Sequence, residues 1–190
     1  MLEDVQKECL KCRLCEIGGK EIDGNLSNVF SNMNPSKIMI VGQNPGMEEV
    51  RKKTPFVGIS GKIFDECMEK YAGLKRKDLY ICNSVCCMTP DNRKPTDLEF
   101  KNCSVFLEKQ IEMLKPSVVV TLGGVALRAM TGLNGITKFH AKPQFSTRYK
   151  VMVFPLLHPS PLNTNRPEKK KEFCEGIVKL KEYVDEFRKS

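Results

Sequence analysis

The sequence lacks several features that mark whole classes of protein. It has no uninterrupted apolar stretch of membrane-spanning length, and its first residues, MLEDVQKECL, begin acidic, unlike a secretory signal. It also has no internal repeat, no low-complexity segment and no linker that would divide it. We therefore expect a cytosolic protein with no membrane contact that folds as a single domain over residues 1–190.

Basic residues outnumber acidic residues, and this excess of positive charge indicates what kind of partner the protein binds. The chain has 31 Lys and Arg against 23 Asp and Glu, a formal net charge of +8. Such a surface attracts polyanions, of which nucleic acid is the commonest. Charge alone does not separate DNA from RNA or from an anionic membrane.

Cysteine, in contrast, is abundant. Nine cysteines without an export signal favour thiolate ligation or buried thiols over a disulfide framework. The stretch CLKCRLC, residues 9–15, contains C-x2-C spacing, and two more thiolates from the CC pair at 86–87 and from Cys103 could complete a four-cysteine shell. Zinc would satisfy the same count, so the spacing alone does not name the metal.

Four short runs are nearly continuous in apolar residues, as in strands that are buried on both faces of a parallel sheet. Helical spacing separates them, and an amphipathic helix is predicted from Glu168 to Phe187, with Pro167 near its start. This alternation predicts an α/β fold with three αβα layers, in which helices cover both faces of a central parallel four-stranded sheet. The predicted strands are residues 37–41, 78–82, 117–122 and 151–154.

Ligands of such sheets bind beyond the carboxyl ends of the strands. That rule selects three polar loops: GQNPG at 42–46, Asn83–Ser84, and HPSPLN at 158–163. His158 is then a candidate ligand contact, although a lone histidine is more often a core residue. Phe56, in TPFVGISGK, could stack on a planar ligand, although such a residue is also more often core.

Taken in order, these motifs resemble the iron–sulfur (family 4) uracil-DNA glycosylases over nearly the whole chain. CLKCRL resembles the first cysteine pair of the family, GQNPG occupies its first motif, and TPFVGISGK resembles its PFVG-x-AG. ICNSVCCMTPDNRKP, KPSVVVTLGGVA and VFPLLHPSPLN complete the match. The resemblance implies a uracil-DNA glycosylase-like fold, a monomer and a DNA substrate that contains uracil.

The resemblance also implies a 4Fe-4S cluster that ties the N-terminal segment to the middle of the chain. Its ligands would be Cys9, Cys12, Cys87 and Cys103. The sequence leaves open whether Cys15 or Cys86 substitutes as a ligand. It also leaves open whether the cluster is redox-active or only structural. Cys67, Cys82, Cys174 and, unless it substitutes as a ligand, Cys86 are predicted to be small buried hydrophobes.

The resemblance assigns roles to the loops. Phe56 would stack on a flipped uracil, Asn83 would read its O4 and N3–H edge, and His158 would donate to O2 as the base leaves. Asn44 and Gln43 would hold the attacking water. Further substrate contacts are predicted from Gly42 and Ser160, and DNA contacts from the wedge Leu162 and from Asn163 and Arg166.

The catalytic loops depart from the family. Gln43 stands where Glu is usual, Asn44 replaces a small residue, and HPSPLN differs from HPAYLLR. An amide cannot take a proton, so we expect modest turnover. The Asn-Arg-x-Pro loop at 92–95 lacks the histidine of the branch that traps its product covalently, and no lysine is placed for a Schiff base, so we expect a monofunctional enzyme.

Two alternatives remain open. The first is a glycosylase with a broader range of deaminated bases, including hypoxanthine and xanthine. The second is a catalytically weak, cluster-bearing DNA-binding module. The sequence does not distinguish single-strand from double-strand preference.

Overall fold

The computed structural model describes residues 1–188. Its helices are α1 (Leu2–Leu10), α2 (Met47–Lys52), α3 (Ile59–Ala72), α4 (Asp97–Leu114), α5 (Gly124–Thr131), α6 (Ile136–Phe139), α7 (Pro161–Thr164) and α8 (Pro167–Arg188). Its strands are β1 (Glu21–Ile22), β2 (Asn25–Leu26), β3 (Ile38–Gly42), β4 (Tyr80–Asn83), β5 (Val118–Leu122), β6 (Gln144–Ser146) and β7 (Val151–Leu156). None of the helices in this range is both long enough and apolar enough to cross a membrane.

The central sheet has the strand order β4-β3-β5-β7-β6. The four predicted strands are all present and mutually parallel, which confirms the predicted fold class. Because β4 and β5 flank β3 on opposite sides, the chain reverses direction across the sheet beside β3. This switch point places the loop after Gly42 at the position where ligands of such sheets bind.

The sheet is nevertheless not purely parallel and not four-stranded. A fifth strand, β6, pairs antiparallel with β7 at the edge, with Gln144 opposite Val153. The strands β1 and β2 form a separate hairpin, whose turn residues Asp23 and Gly24 have positive φ angles of 49° and 72°. A tight two-residue hairpin turn with both residues in this region favours Asp-Gly, which is the sequence here.

Helices cover both faces of the sheet, so the molecule has the predicted three layers. Successive residues of β3 alternate between two buried clusters: Ile38 and Ile40 point to one, Met39 and Val41 to the other. The first face is covered by α3 and α8, and the second by α4 and α5. Pro167 is the first residue of α8, as the sequence predicts.

A third buried cluster joins the N-terminal segment to the loop after β4 and to α4, and it contains most of the cysteines. The start of α4, which carries Cys103, is fixed by a capping box: Thr96 Oγ1 accepts from the amide of Glu99 at 3.2 Å, and Glu99 Oε2 accepts from the amide of Thr96 at 2.7 Å. Arg93 adds two hydrogen bonds to the same carboxylate, at 2.8 and 2.9 Å. The Asn-Arg-x-Pro loop is thereby anchored to α4.

Candidate active site

The three polar loops selected from the sequence meet around one cavity of about 410 Å³ at the carboxyl edge of the sheet. Its walls include Asn44, Phe56, Asn83 and His158, which are four of the predicted site residues. Residues to which the sequence assigned no role of their own also line it: Gly46, Met47, Glu48, Glu49, Gly58, Ile59, Ser60, Asn92 and Pro161. The combination of apolar walls with a few convergent polar groups is typical of a small-molecule pocket.

Asn83 ends β4 opposite Gly42, the last residue of β3. A Cβ atom at position 42 would overlap the side-chain oxygen of Asn83, so only glycine leaves room for the amide there. Asn83 is 3% exposed, and the carbonyl of Gly42 accepts from the amide of Ser84 at 2.9 Å. Gly42 therefore leaves the space that the Asn83 side chain occupies, and its predicted contact with the substrate stays a prediction.

Phe56 presents its ring to the cavity from an unusual backbone conformation, with a φ of 58°. The ring packs edge-to-face against Phe64, with 5.5 Å between centroids, and against His158, with 5.9 Å between centroids. The ring of Phe56 is also part of the cavity wall. This geometry suits stacking against a planar ligand.

His158 follows β7 and is half-buried. Burial lowers the pKa of its imidazole, because the charged form is the one that loses most from desolvation. Gly123, whose φ is 88°, lies directly behind it: a Cβ there would come within 3.1 Å of His158 Cβ. The side-chain amide of Asn163 donates to the carbonyl of His158 at 2.8 Å.

Three amide side chains form a chain at the mouth of the cavity. Gln43 Nε2 donates to Asn44 Oδ1 at 2.8 Å, and Asn44 Nδ2 donates both to the carbonyl of Pro45 at 3.0 Å and to Asn92 Oδ1 at 3.1 Å. The predicted pair Gln43 and Asn44 is thus extended by Asn92, which has a positive φ of 52°. This contact of Asn92 was not predicted from the sequence.

Two carboxylates lie in the cavity wall, and both have partners. Glu49 accepts three backbone amides: Gly46 at 3.0 Å, Val57 at 3.0 Å and Gly58 at 2.8 Å. It therefore ties the GQNPG loop to the loop that carries Phe56. Glu48 is more exposed and forms ion pairs of 3.4 Å with Arg51 and Lys52.

The residues predicted to contact DNA occupy different surroundings. Leu162 is 84% exposed beside Pro161, and Arg166 is also exposed. Asn163 instead turns inward to His158, and Ser160 supplies its carbonyl to the amides of Asn163 and Thr164 at the start of α7. Their direct contacts with DNA or substrate stay predictions. The structure adds Ile59, which lines the cavity and is 67% exposed.

The second histidine, His140, lies away from the cavity and makes internal contacts. Its Nδ1 accepts from the amide of Leu157 at 3.2 Å, and its Nε2 lies 2.9 Å from the carbonyl of Glu172. An accepting Nδ1 places the proton on Nε2, which donates to that carbonyl. The residue connects β7 with α8.

Six cysteines share the third buried cluster. They come from α1, the turn after it, the loop after β4, and α4: Cys9, Cys12, Cys15, Cys86, Cys87 and Cys103. Hydrogen bonding between Cys86 and Cys103 raises the pKa of the first thiol and lowers that of the second. Burial raises the pKa of Cys87 to about 12.

This donor set, all sulfur and drawn from separate segments, fits an iron–sulfur cluster in its chemistry. Within residues 1–188, no group of three His, Cys, Asp or Glu side chains is arranged to hold a metal ion. The four predicted ligands all belong to the set, and so do the two substitutes, Cys15 and Cys86. Cys67, Cys82 and Cys174 are buried elsewhere, as predicted.

Comparisons with known proteins agree with this geometry. Residues 30–180 match the uracil DNA glycosylase superfamily. A type-4 uracil-DNA glycosylase of Thermotoga maritima is 36% identical over 190 residues, covering 97% of this chain and 95% of that protein. A type-4 uracil-DNA glycosylase of Sulfurisphaera tokodaii is 32% identical over 189 residues, covering 95% and 84%. A type-5 uracil-DNA glycosylase of Pyrobaculum aerophilum is 36% identical over 110 residues, covering 57% and 47%.

Proposed function

The chain belongs to the uracil-DNA glycosylase superfamily, and from that premise we propose that it excises uracil from DNA by hydrolysing the N-glycosidic bond, which leaves an abasic site. The observation that carries the proposal is that Phe56, Asn83 and His158 line one cavity. A stacking ring, a buried amide and a hydrogen-bond donor are what a pocket for a flipped pyrimidine needs.

Recognition of the base would rest on Phe56 and Asn83. The phenyl ring stacks on the flipped base, and the amide offers a donor for O4 and an acceptor for N3–H. Cytosine presents the reverse pattern on that edge, so a fixed Asn83 amide rejects it. The seat that Gly42 provides supports such fixation, since the amide lies against the end of β3.

Bond cleavage would rest on His158. As the glycosidic bond stretches, uracil leaves as an anion, and negative charge accumulates on O2. A ring N–H placed in the cavity wall would stabilise that charge without reorganisation. The lowered pKa of His158 favours the neutral ring at neutral pH, so it acts as a hydrogen-bond donor rather than as a cation.

The attacking water would be held by the amide chain. Gln43 and Asn92 fix the side chain of Asn44 from two sides, which leaves its oxygen with one further lone pair for a water. None of these three amides accepts a proton. A dissociative reaction tolerates this, because an oxocarbenium ion needs only a weak nucleophile.

The DNA would be engaged by charge and by a wedge. The excess of basic residues attracts phosphates, and the exposed side chain of Leu162 would fill the gap that the flipped nucleotide leaves in the stack. The protein would act as a monomer. Without a Schiff-base lysine, its product is an intact strand with an abasic site.

A 4Fe-4S cluster held by Cys9, Cys12, Cys87 and Cys103 would act as a structural clip. It would join α1 and the following turn to α4 and to the loop after β4. Since that loop begins only a few residues after Asn83, the clip would support one wall of the cavity.

Single-turnover base release tests the proposal. Matched oligonucleotides would carry uracil or hypoxanthine opposite G, opposite A and unpaired, with Asn83→Ala as the pocket variant. Asn134→Ala, at an exposed asparagine away from the cavity, is the matched control. We expect uracil release that is lost in the first variant and kept in the second. Release of hypoxanthine instead would favour the broader glycosylase, and DNA binding without release of either base would favour the binding module.

A further inference from the structure

Phe56 adopts a backbone conformation that a bulky residue does not adopt without support. Its φ of 58° lies in the left-handed region, where the Cβ atom crowds the backbone. Such outliers persist only where the surroundings hold them, and they cluster at ligand sites. The contacts that hold Phe56 therefore bear on the geometry of the cavity.

The carbonyl side of Phe56 is held by Arg76. Its guanidinium donates through Nη2 to the carbonyl of Phe56 and through Nη1 to the carbonyl of Pro55, the latter at 3.1 Å. The Phe56 carbonyl lies against Gly61 in the first turn of α3, where a Cβ atom would overlap it. Two consecutive carbonyls are thus turned toward one cation, and the glycine leaves space for them.

Arg76 is itself fixed by Asp65. Its Nε donates to Asp65 Oδ2 at 2.7 Å, and the two side chains are only 27% and 37% exposed. The Nε, Nη1 and Nη2 atoms of Arg76 therefore each donate a hydrogen bond, and these bonds fix the orientation of the planar guanidinium. The backbone amides that follow Phe56 are held by a carboxylate, since Glu49 accepts from the amides of Val57 and Gly58.

Neither Arg76 nor Asp65 lines the cavity, and both lie behind Phe56. We propose that Arg76, oriented by Asp65, is a positioning residue that fixes the left-handed backbone of Phe56 and thereby the angle at which its ring meets a flipped base. This inference rests on the proposed function. It adds a determinant of base recognition that has no contact with the base.

A double-mutant cycle tests the functional part. The variants are Arg76→Met, Phe56→Leu and the pair, and the readouts are the single-turnover rate of uracil release and the inhibition constant of free uracil. Because Arg76 acts through Phe56, we expect Arg76→Met to slow release and weaken uracil inhibition at least tenfold in the native background, and less than twofold beside Phe56→Leu. Affinity for undamaged DNA should change less than twofold. Equal losses in both backgrounds would overturn the proposal.

An NMR measurement tests the same contact without any activity. The chain has two histidines, and the ring of His158 makes a T-shaped contact with the ring of Phe56. A changed tilt of the Phe56 ring shifts the His158 carbon-bound proton signals through the ring current, and those of His140 stay in place. We expect this shift in Arg76→Met and in the milder Arg76→Lys and Asp65→Asn variants, which guard against a failure to fold.

Arg148→Met is the matched control, since Arg148 also forms an ion pair, with Glu108 at 2.7 Å, but lies away from the cavity. It should leave the His158 signals unchanged. Unchanged signals in the folded Arg76 and Asp65 variants would overturn the proposal even if release is slowed. If the unmodified protein releases no uracil, the proposed function fails, and the NMR result still decides whether Arg76 sets the position of Phe56.

Discussion

Asn83 occupies the space that a side chain at Gly42 would need. The two residues are register partners at the ends of adjacent parallel strands, so neither can move without disturbing the sheet. A methyl group at position 42 must therefore displace the amide of Asn83 rather than the backbone. The specificity of the proposed pocket depends on this one contact as much as on the amide itself.

We accordingly predict that Gly42→Ala slows uracil release almost as much as Asn83→Ala. A misplaced hydrogen-bonding group costs about 1–3 kcal/mol, or roughly 5- to 150-fold in rate. Gly124→Ala is the matched control, since a Cβ there would meet Ile136 at an ordinary 3.7 Å. Single-turnover kinetics of the three variants decide the matter. A Gly42→Ala variant with the native rate would show that Asn83 does not need the space that glycine leaves at position 42.

The pH profile of uracil release should show a transition at the pKa of His158, and the midpoint should lie below 6.5, the ordinary value for histidine. The sign follows from burial: the folded state disfavours the imidazolium, so the neutral ring persists to lower pH than in an unfolded chain. Stability should fall over the same acidic range, because the unfolded state then binds more protons.

An NMR titration of the two histidines would give this midpoint directly, with His158→Asn for assignment. That variant should also lose about 10²- to 10³-fold in rate, the usual effect of removing a donor to a developing anion. A midpoint at or above 6.5 would contradict the burial argument.

The strands were predictable because burial on both faces leaves continuous apolar runs, such as Ile38–Val41. The edge strand β6 was not, because it is three residues long, pairs on one side only and exposes Phe145. The hairpin of β1 and β2 was not predicted either, because each of its strands is only two residues long, even though Asp23-Gly24 is a turn signal. Short elements are fixed by their tertiary partners rather than by their own pattern.

The site was predictable where a residue follows a strand, and not where two loops meet in space. Asn83 and His158 follow from the strand-end rule. Glu49 and Asn92 do not, since their roles depend on the Val57 amide and on Asn44, which is 48 positions from Asn92. Asn163 makes a further contact of this kind, since its side-chain amide donates to the carbonyl of His158, while its predicted contact with DNA stays a prediction.

Asn92 should contribute to release only through Asn44. Asn92→Ala removes the acceptor that holds one N–H of Asn44, so we expect a loss of roughly tenfold, in line with a typical net hydrogen bond of about 1 kcal/mol or slightly more. Asn44→Ala should cost more, because it removes the water contact itself. In the double variant the two losses should not add. Fully additive losses would place Asn92 outside the water-holding group.

The cysteine cluster should bind iron in the purified protein, and the ligands should be separable by substitution. We expect Cys87→Ala to lower the iron content and the unfolding temperature, since a bound cluster contributes directly to folding. Cys174→Ala, at a buried cysteine on the opposite side of the sheet, should leave iron bound. Iron analysis with thermal unfolding gives both readouts.

Cys86 provides the sharper comparison, because its thiol is hydrogen-bonded to two of the predicted ligands, Cys9 and Cys103. If Cys87 is the third ligand, Cys86→Ala retains iron. Loss of iron in Cys86→Ala alone would make Cys86, rather than Cys87, the third ligand. Retention of iron in both single variants would mean that either cysteine can serve as that ligand.

Leu162 should matter for duplex DNA and much less for unpaired uracil. Flipping a paired nucleotide breaks stacking worth a few kcal/mol, and an inserted apolar side chain recovers part of it. We therefore expect Leu162→Ala to slow release from a U·A pair about tenfold and from a single strand less than twofold. Leu98→Ala is the control, because Leu98 is also a leucine more than half exposed, on α4. Equal losses on both substrates would mean that Leu162 supports the His158 loop by packing, and the wedge would have to be sought elsewhere on the rim, beginning with Ile59, which is 67% exposed at the cavity mouth.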